Sequence, residues 1–154
     1  MSFFTHYWTG ETFKREAQGP VGDMVHTAGN QFTSRGVMPG DTVYVISFLH
    51  GVLYVVGSLA VDLIVPKAKA RVILGTSDLW SADEHVIAKK GGSSRARFDS
   101  PISQSDIQEV EFIGSDGSVL PPKRNRHGQI DPQTFRGVRE ITATTASQFD
   151  SYLV

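Results

Sequence analysis

The apolar positions of the chain are arranged more often in strands than in helices. Phe3-Phe4-Thr5-His6-Tyr7-Trp8 is aromatic and β-prone and stops before Gly10, which predicts a strand. Thr42–Phe48 and Val52–Val65 are apolar on both faces, as expected of central strands covered on each side. His50-Gly51 between them reads as a hairpin turn, with a bulge expected near Gly57. Only His50 and Asp62 can ionise between Val43 and Val65, so a membrane span is the competing reading. The interrupting glycines and the β-branched composition favour the hairpin.

Shorter elements surround this centre. Thr12 is placed to cap a helical turn through Ala17, which Gly19-Pro20 ends. Val21–Val37 is polar, glycine-spaced and without period; a loop of that length in a small domain calls for a functional reason. Pro39-Gly40-Asp41 is a turn launching the hairpin. Arg71–Leu74 reads as a short strand. Ser77 or Asp78 offers an N-cap for a helix through Trp80, His85 and Lys90, with Asp83-Glu84 early and Lys89-Lys90 late, as the helix dipole prefers. Gly91-Gly92-Ser93-Ser94 ends it. Pro101 and Ser103 open a short helix or turn, and Glu109–Ile113 with Ser118–Leu120 forms a second hairpin about Ser115-Asp116-Gly117. Asp131-Pro132 is a helix start, and Thr142 caps a last helix whose Ala146, Phe149, Tyr152 and Leu153 recur at helical spacing. The expectation is an α+β, mainly β fold: a single domain over residues 1–154, built as a small mixed barrel with short peripheral helices and a C-terminal helix.

Composition narrows the function classes. With 154 residues, 40% of them hydrophobic and 20% charged, the chain suits one globular unit rather than a disordered one. The absence of cysteine excludes disulfides, a cysteine nucleophile and thiolate metal sites. The net charge of −1 is unevenly spread. Residues 67–97 carry seven basic against three acidic side chains, and residues 123–139 carry five against one. Two such segments folding onto one face would give an electrostatic footprint for a polyanion, and solvated loops are the plainer alternative. No targeting signal is evident at Met1–His6, so the expected location is the cytoplasm.

Catalytic signatures are mostly missing. There is no Gly-x-Ser-x-Gly elbow and no phosphate loop, and the five histidines show no metal-ligand spacing, so neither a cofactor nor a metal is expected. The aromatic residues offer more. Trp8, Phe32, Phe48 and Trp80 would sandwich a planar ligand if the long loop folds over the barrel end, and ordinary core packing is the alternative for each. Amides and hydroxyls of Thr27, Asn30, Gln31 and Ser34 would then read the ligand's edge, and Arg35 would contact phosphate or cap the loop.

Pro39-Gly40-Asp41-Thr42-Val43-Tyr44-Val45, followed after a short gap by Gly51-Val52-Leu53-Tyr54-Val55-Val56-Gly57-Ser58-Leu59, resembles the core of PUA-like barrels. The EVE branch, related to YTH and ASCH domains, is similar in order: Tyr7-Trp8, then Asn30 to Arg35, then Gly40-Asp41, over residues 3–66. The resemblance implies a nucleic-acid-binding module, for DNA or RNA, that takes a modified base flipped into an aromatic pocket. Trp8, Phe32, Phe48 and Trp80 would stack on the base, with Asn30, Gln31 and Ser34 at its edge and Arg35 at phosphate or sugar. Lys67, Lys69, Arg71, Lys123, Arg124 and Arg126 would hold the backbone. The competing expectation is a hydrolase or deaminase of a nucleoside or small amide, as in ASCH relatives, with His26 or Glu11 as base.

Overall fold

The computed structural model describes all of residues 1–154. Strand β1 (Phe3–Tyr7) is followed by α1 (Gly10–Ala17), β2 (His26–Gly29) and the hairpin β3 (Thr42–Leu49) and β4 (Val52–Val65). Then come α2 (Lys67–Leu74), β5 (Glu84–Ser93), α3 (Gln104–Ile107) and the small hairpin β6 (Phe112–Ile113) and β7 (Val119–Leu120). A 3₁₀ turn over Pro132–Phe135, β8 (Val138–Ile141) and α4 (Ala143–Ser151) complete the chain. All eight strands join one mixed sheet in the order β2-β5-β4-β3-β1-β8-β6-β7. β1 lies inside it, parallel to β3 (Phe3 opposite Thr42) and antiparallel to β8 (Phe3 opposite Ile141).

The fold is therefore mainly β with short helices, and the expected closed barrel is not formed: the sheet is open, ending at β2 and β7. It does curl. The Thr27 hydroxyl on β2 reaches β1, accepting the Trp8 indole N–H at 3.1 Å and bonding His6 Nδ1 at 2.9 Å. Closure on this side is made by side chains, without a backbone ladder.

Two cores occupy the two faces of the sheet. Val43 and Val45 of β3 point into the curl with Phe4, Trp8, Phe32 and Phe13 of α1, whereas Tyr44 and Ile46 point outward under Phe135, Ile107 and Phe149 of α4. A bulge lets β4 serve both. Val45 faces Gly57 but Ile46 faces Val55, so Val56 is the extra residue, close to the expected place. Leu53 and Val55 before it join the outer core, and Leu59 and Val61 after it join the inner one. In an unbroken strand all four odd-numbered side chains would share one face.

Local signals place several elements. His50 and Gly51 turn the β3–β4 hairpin with φ of 50° and 78°, the left-handed pair that a two-residue loop needs. Ser103, Asp131 and Thr142 accept backbone N–H groups as N-caps. The Asp41 carboxylate accepts from Ser2 N and Met38 N, both at 2.9 Å, which fixes the Pro39-Gly40 turn against the first strand. No helix is long and apolar enough to cross a membrane, and the apolar stretch 43–65 is the β3–β4 hairpin.

Other elements depart from expectation. Arg71–Leu74 is the end of helix α2, not a strand. Ala68, Lys69 and Ala70 are strong helix formers, Pro66 sits at the N-cap, and Gly75 closes the end at φ 68° with its N–H on Arg71 O. The helix expected from residue 78 to 90 is irregular chain followed by β5. Val86 packs into the inner core and Ile87 against Val65 and Ala70, so both faces of the segment are buried between β2 and β4. Tertiary burial outweighs its capping pattern. Thr9, not Thr12, caps α1. The loop 21–37 contains β2, and Val138–Ile141, to which the sequence pattern assigns no element, forms β8.

Candidate functional site

At the β2–β5 edge of the curled sheet the chain lines a half-open cavity of about 750 Å³. Its walls are the 19–26 segment, the 78–81 segment and Ala96–Phe98, with Trp8 behind and α1 contributing Arg15 and Glu16. The aromatic wall is a connected stack. Trp80 lies 5.7 Å from Trp8 at an interplanar angle of 55° and 5.3 Å from His26 at 26°. His85 continues the wall edge to edge with His26, the two rings nearly coplanar at 5° with centres 5.1 Å apart. Trp8 is almost wholly buried and anchored through Thr27, whereas Trp80 is half-buried and presents ring surface to the cavity. The Arg15 guanidinium stands 5.9 Å from the Trp80 ring centre.

Hydrogen bonding fixes the tautomers of the histidine pair. His85 Nε2 lies 3.1 Å from the Ala82 carbonyl, which only accepts, so this nitrogen carries the proton. Neutral His85 then accepts at Nδ1, and His26 Nε2, 2.8 Å away, donates to it. This leaves His26 Nδ1 as an acceptor bound by no protein group and not sealed from solvent. Burial, aided by His85, lowers the His26 pKa to about 4. Burial also lowers that of His85, against the opposing pull of the Ala82 carbonyl and with a further push from Lys67. Both rings are neutral at physiological pH, and His26, a lining residue of the cavity, keeps Nδ1 as a solvent-accessible hydrogen-bond acceptor.

Of the seven side chains expected to form a base pocket, the structure brings Trp8 and Trp80 together at this cavity. Phe32 is completely buried in the inner core, edge-on to His6 at 4.8 Å. Phe48 belongs to the outer core, 5.2 Å from Phe135, on the opposite face of the sheet. Asn30 accepts from Asp83 N at 2.8 Å and Ser34 donates to Gln31 O, so these groups stabilise their own loop. Gln31 lies against Gly137, where its Oε1 would be 2.6 Å from an added Cβ. The Glu84 carboxylate completes the loop by accepting from Phe32 N and Thr33 N. His26, expected beside the pocket only as the base of the competing enzyme reading, lines the cavity, and Arg15, Glu16, Asp23, Met24 and Asp78 join it without any sequence signal, because the grouping depends on β2 pairing with β5.

The basic side chains divide between two places. Lys67, Lys69 and Arg71 lie on α2, which packs on β5, with Lys69 and Arg71 exposed. Lys123 is held by its N–H to Thr134 Oγ1, and Arg139 donates to the Thr134 carbonyl at 2.8 Å while its guanidinium stands 3.8 Å from the Phe112 ring centre. Burial, and after it Arg35, lowers the pKa of Arg139, so Arg35, Lys123 and Arg139 share one corner. Arg124 donates to Gly128 O and to the Gln108 side chain. Arg126 lies beside His127. The single ion pair of the protein is Arg97 with Asp99, at 3.6 Å, so none of these cations is neutralised by a carboxylate contact.

Comparison with protein-family models, with curated proteins and with solved structures finds no match for this chain.

Proposed function

We propose that this protein is a nucleic-acid-binding module that receives a planar base, in particular a modified one, in the Trp8–Trp80–His26 cavity. The observation that carries this reading is the half-buried Trp80, stacked on His26 and facing a cavity of ligand size. A flipped base would lie on the Trp80 face and offer an N–H to His26 Nδ1, while Trp8 holds the wall rigid. Flipping costs a few kcal/mol, which stacking of about 1–3 kcal/mol per base and edge contacts must offset. The unpaired cations Arg35, Lys123 and Arg139 supply backbone contacts that fade with salt. The order of the tryptophan strand, loop, Gly40-Asp41 turn and hairpin, similar to EVE domains of the PUA-like group, supports the same reading, and such a module would work in the cytoplasm.

The test is a fluorescence titration with short single and double strands carrying modified bases. Binding should quench Trp80 and weaken about tenfold or more in Trp80→Ala, as expected for one lost stacking platform. Phe48→Ala, on the far face, should keep the affinity. No response from any strand at low salt, or unchanged affinity without Trp80, overturns the reading.

A nucleoside hydrolase or deaminase is the second reading, favoured by the free Nδ1 of His26 at the cavity. Against it, a pKa of about 4 leaves that nitrogen a weak base, whereas general bases work best near the operating pH. Turnover of free nucleosides would decide for it.

A further inference from the structure

The cavity's electrostatics are at odds with a generic nucleic-acid pocket. Its rim carries Glu16, Asp23 and Asp78 against Arg15 alone, and no carboxylate there is engaged in an ion pair. Its wall is built of aromatic faces, whose negative quadrupole attracts cations. One cation already sits there: Arg15, over Trp80 at 5.9 Å. The open hydrogen-bonding group at the wall, His26 Nδ1, accepts and does not donate. Rim, wall and hydrogen-bond polarity all disfavour phosphate and all favour a positively charged planar group bearing an N–H.

We infer that the cavity selects a cationic base, one alkylated on a ring nitrogen so that its ring carries a positive charge, over its neutral parent. The inference rests on the base-binding reading above. In this arrangement the ligand ring takes the Trp80 face now covered by Arg15, so Arg15 competes with the ligand instead of binding it. Asp23 and Asp78, exposed at the rim, provide a screened attraction, and the phosphates of the strand must leave the rim towards the basic surfaces elsewhere on the molecule.

The experiment compares free nucleosides, which lack phosphate: N1-methyladenosine against adenosine and N7-methylguanosine against guanosine, read by tryptophan quenching. The charged member of each pair should bind about tenfold tighter, the range of a partly desolvated cation–π contact. Asp23→Asn/Asp78→Asn should reduce that preference severalfold, and Arg15→Gln should strengthen binding of the cation. All three substitutions are at exposed side chains, so the fold is kept. Equal affinity for charged and neutral members overturns the cation preference and leaves base binding standing. Loss of binding in Arg15→Gln also overturns it, because Arg15 would then be a ligand contact. Silence from all nucleosides together with silence from all strands overturns both.

Discussion

Thr27→Val tests the side-chain closure of the curled sheet. The substitution keeps shape and removes one hydroxyl that is completely buried, accepts the Trp8 indole N–H at 3.1 Å and bonds His6 Nδ1 at 2.9 Å. His6 is 8% exposed and Trp8 6%, so water cannot readily replace the lost partner. Each buried polar group left without a partner costs about 1–3 kcal/mol, and two are orphaned, giving roughly 2–6 kcal/mol. For a chain of this size that corresponds to a fall in Tm of roughly 4–24 °C. The assay is urea unfolding followed by tryptophan fluorescence and by circular dichroism, with Thr33→Val as the control. Thr33 is exposed and its side chain makes no hydrogen bond, so the control should stay within about 0.5 kcal/mol of the parent. A loss below about 0.5 kcal/mol in Thr27→Val would show that β2 does not depend on this hydroxyl, and the account of closure would fall.

Two further outcomes follow from buried groups. Burial lowers the pKa of His6, and of His26, from 6.5 to about 4, so between those values the unfolded chain binds more protons than the folded one. Stability should therefore be complete above pH 6.5 and fall as the pH drops towards 4, approaching about 1.4 kcal/mol per pH unit for His6 alone. Urea midpoints at pH 7, 6 and 5 check this, and a flat profile over that window refutes it. Gly57→Ala should destabilise by about 1–3 kcal/mol through overpacking, since an added Cβ would lie 3.0 Å from Met24 Cβ and 3.2 Å from Ser94 Oγ, next to the bulge. Thermal unfolding measures it, and an unchanged Tm would mean that Met24 gives way freely.

What the sequence disclosed of this fold was its short-range content. The His50-Gly51 hairpin, the bulge and the caps at Ser103, Asp131 and Thr142 depend on neighbours close in the chain, and they stand where the pattern placed them, as does the aromatic β1 segment. The exchange of helix and strand between 67–74 and 84–93 has a physical origin. The second segment carries helix-like caps and end charges, but Val86 and Ile87 are buried on opposite faces by β4, which lies earlier in the chain, and by α2. Val138-Arg139-Glu140-Ile141 is short and half charged, and it is a strand only because β1 lies alongside. The site follows the same division. Trp8 and Trp80 were legible as exceptional side chains, and their meeting was not, because it requires β2, β5 and the 78–81 segment to be assembled first. Phe32 and Phe48 looked equivalent to them in sequence; face alternation along β3 puts Phe48 in the outer core, and Phe32, in the same inner core as Trp8, is completely buried away from the cavity.

The position of β1 has a consequence for how the molecule comes into being. Residues 3–7 leave the ribosome before both of the strands they lie between, one beginning at Thr42 and another ending at Ile141. The strand made early is thus among the last to have both its edges paired. Until β8 emerges, one side of β1 offers free amides and carbonyls beside an unfinished core, a state open to pairing with other nascent chains. Completion of β1 waits on the long closure that brings β8 to it, a topology that favours slow folding after β8 has emerged over stepwise folding before it.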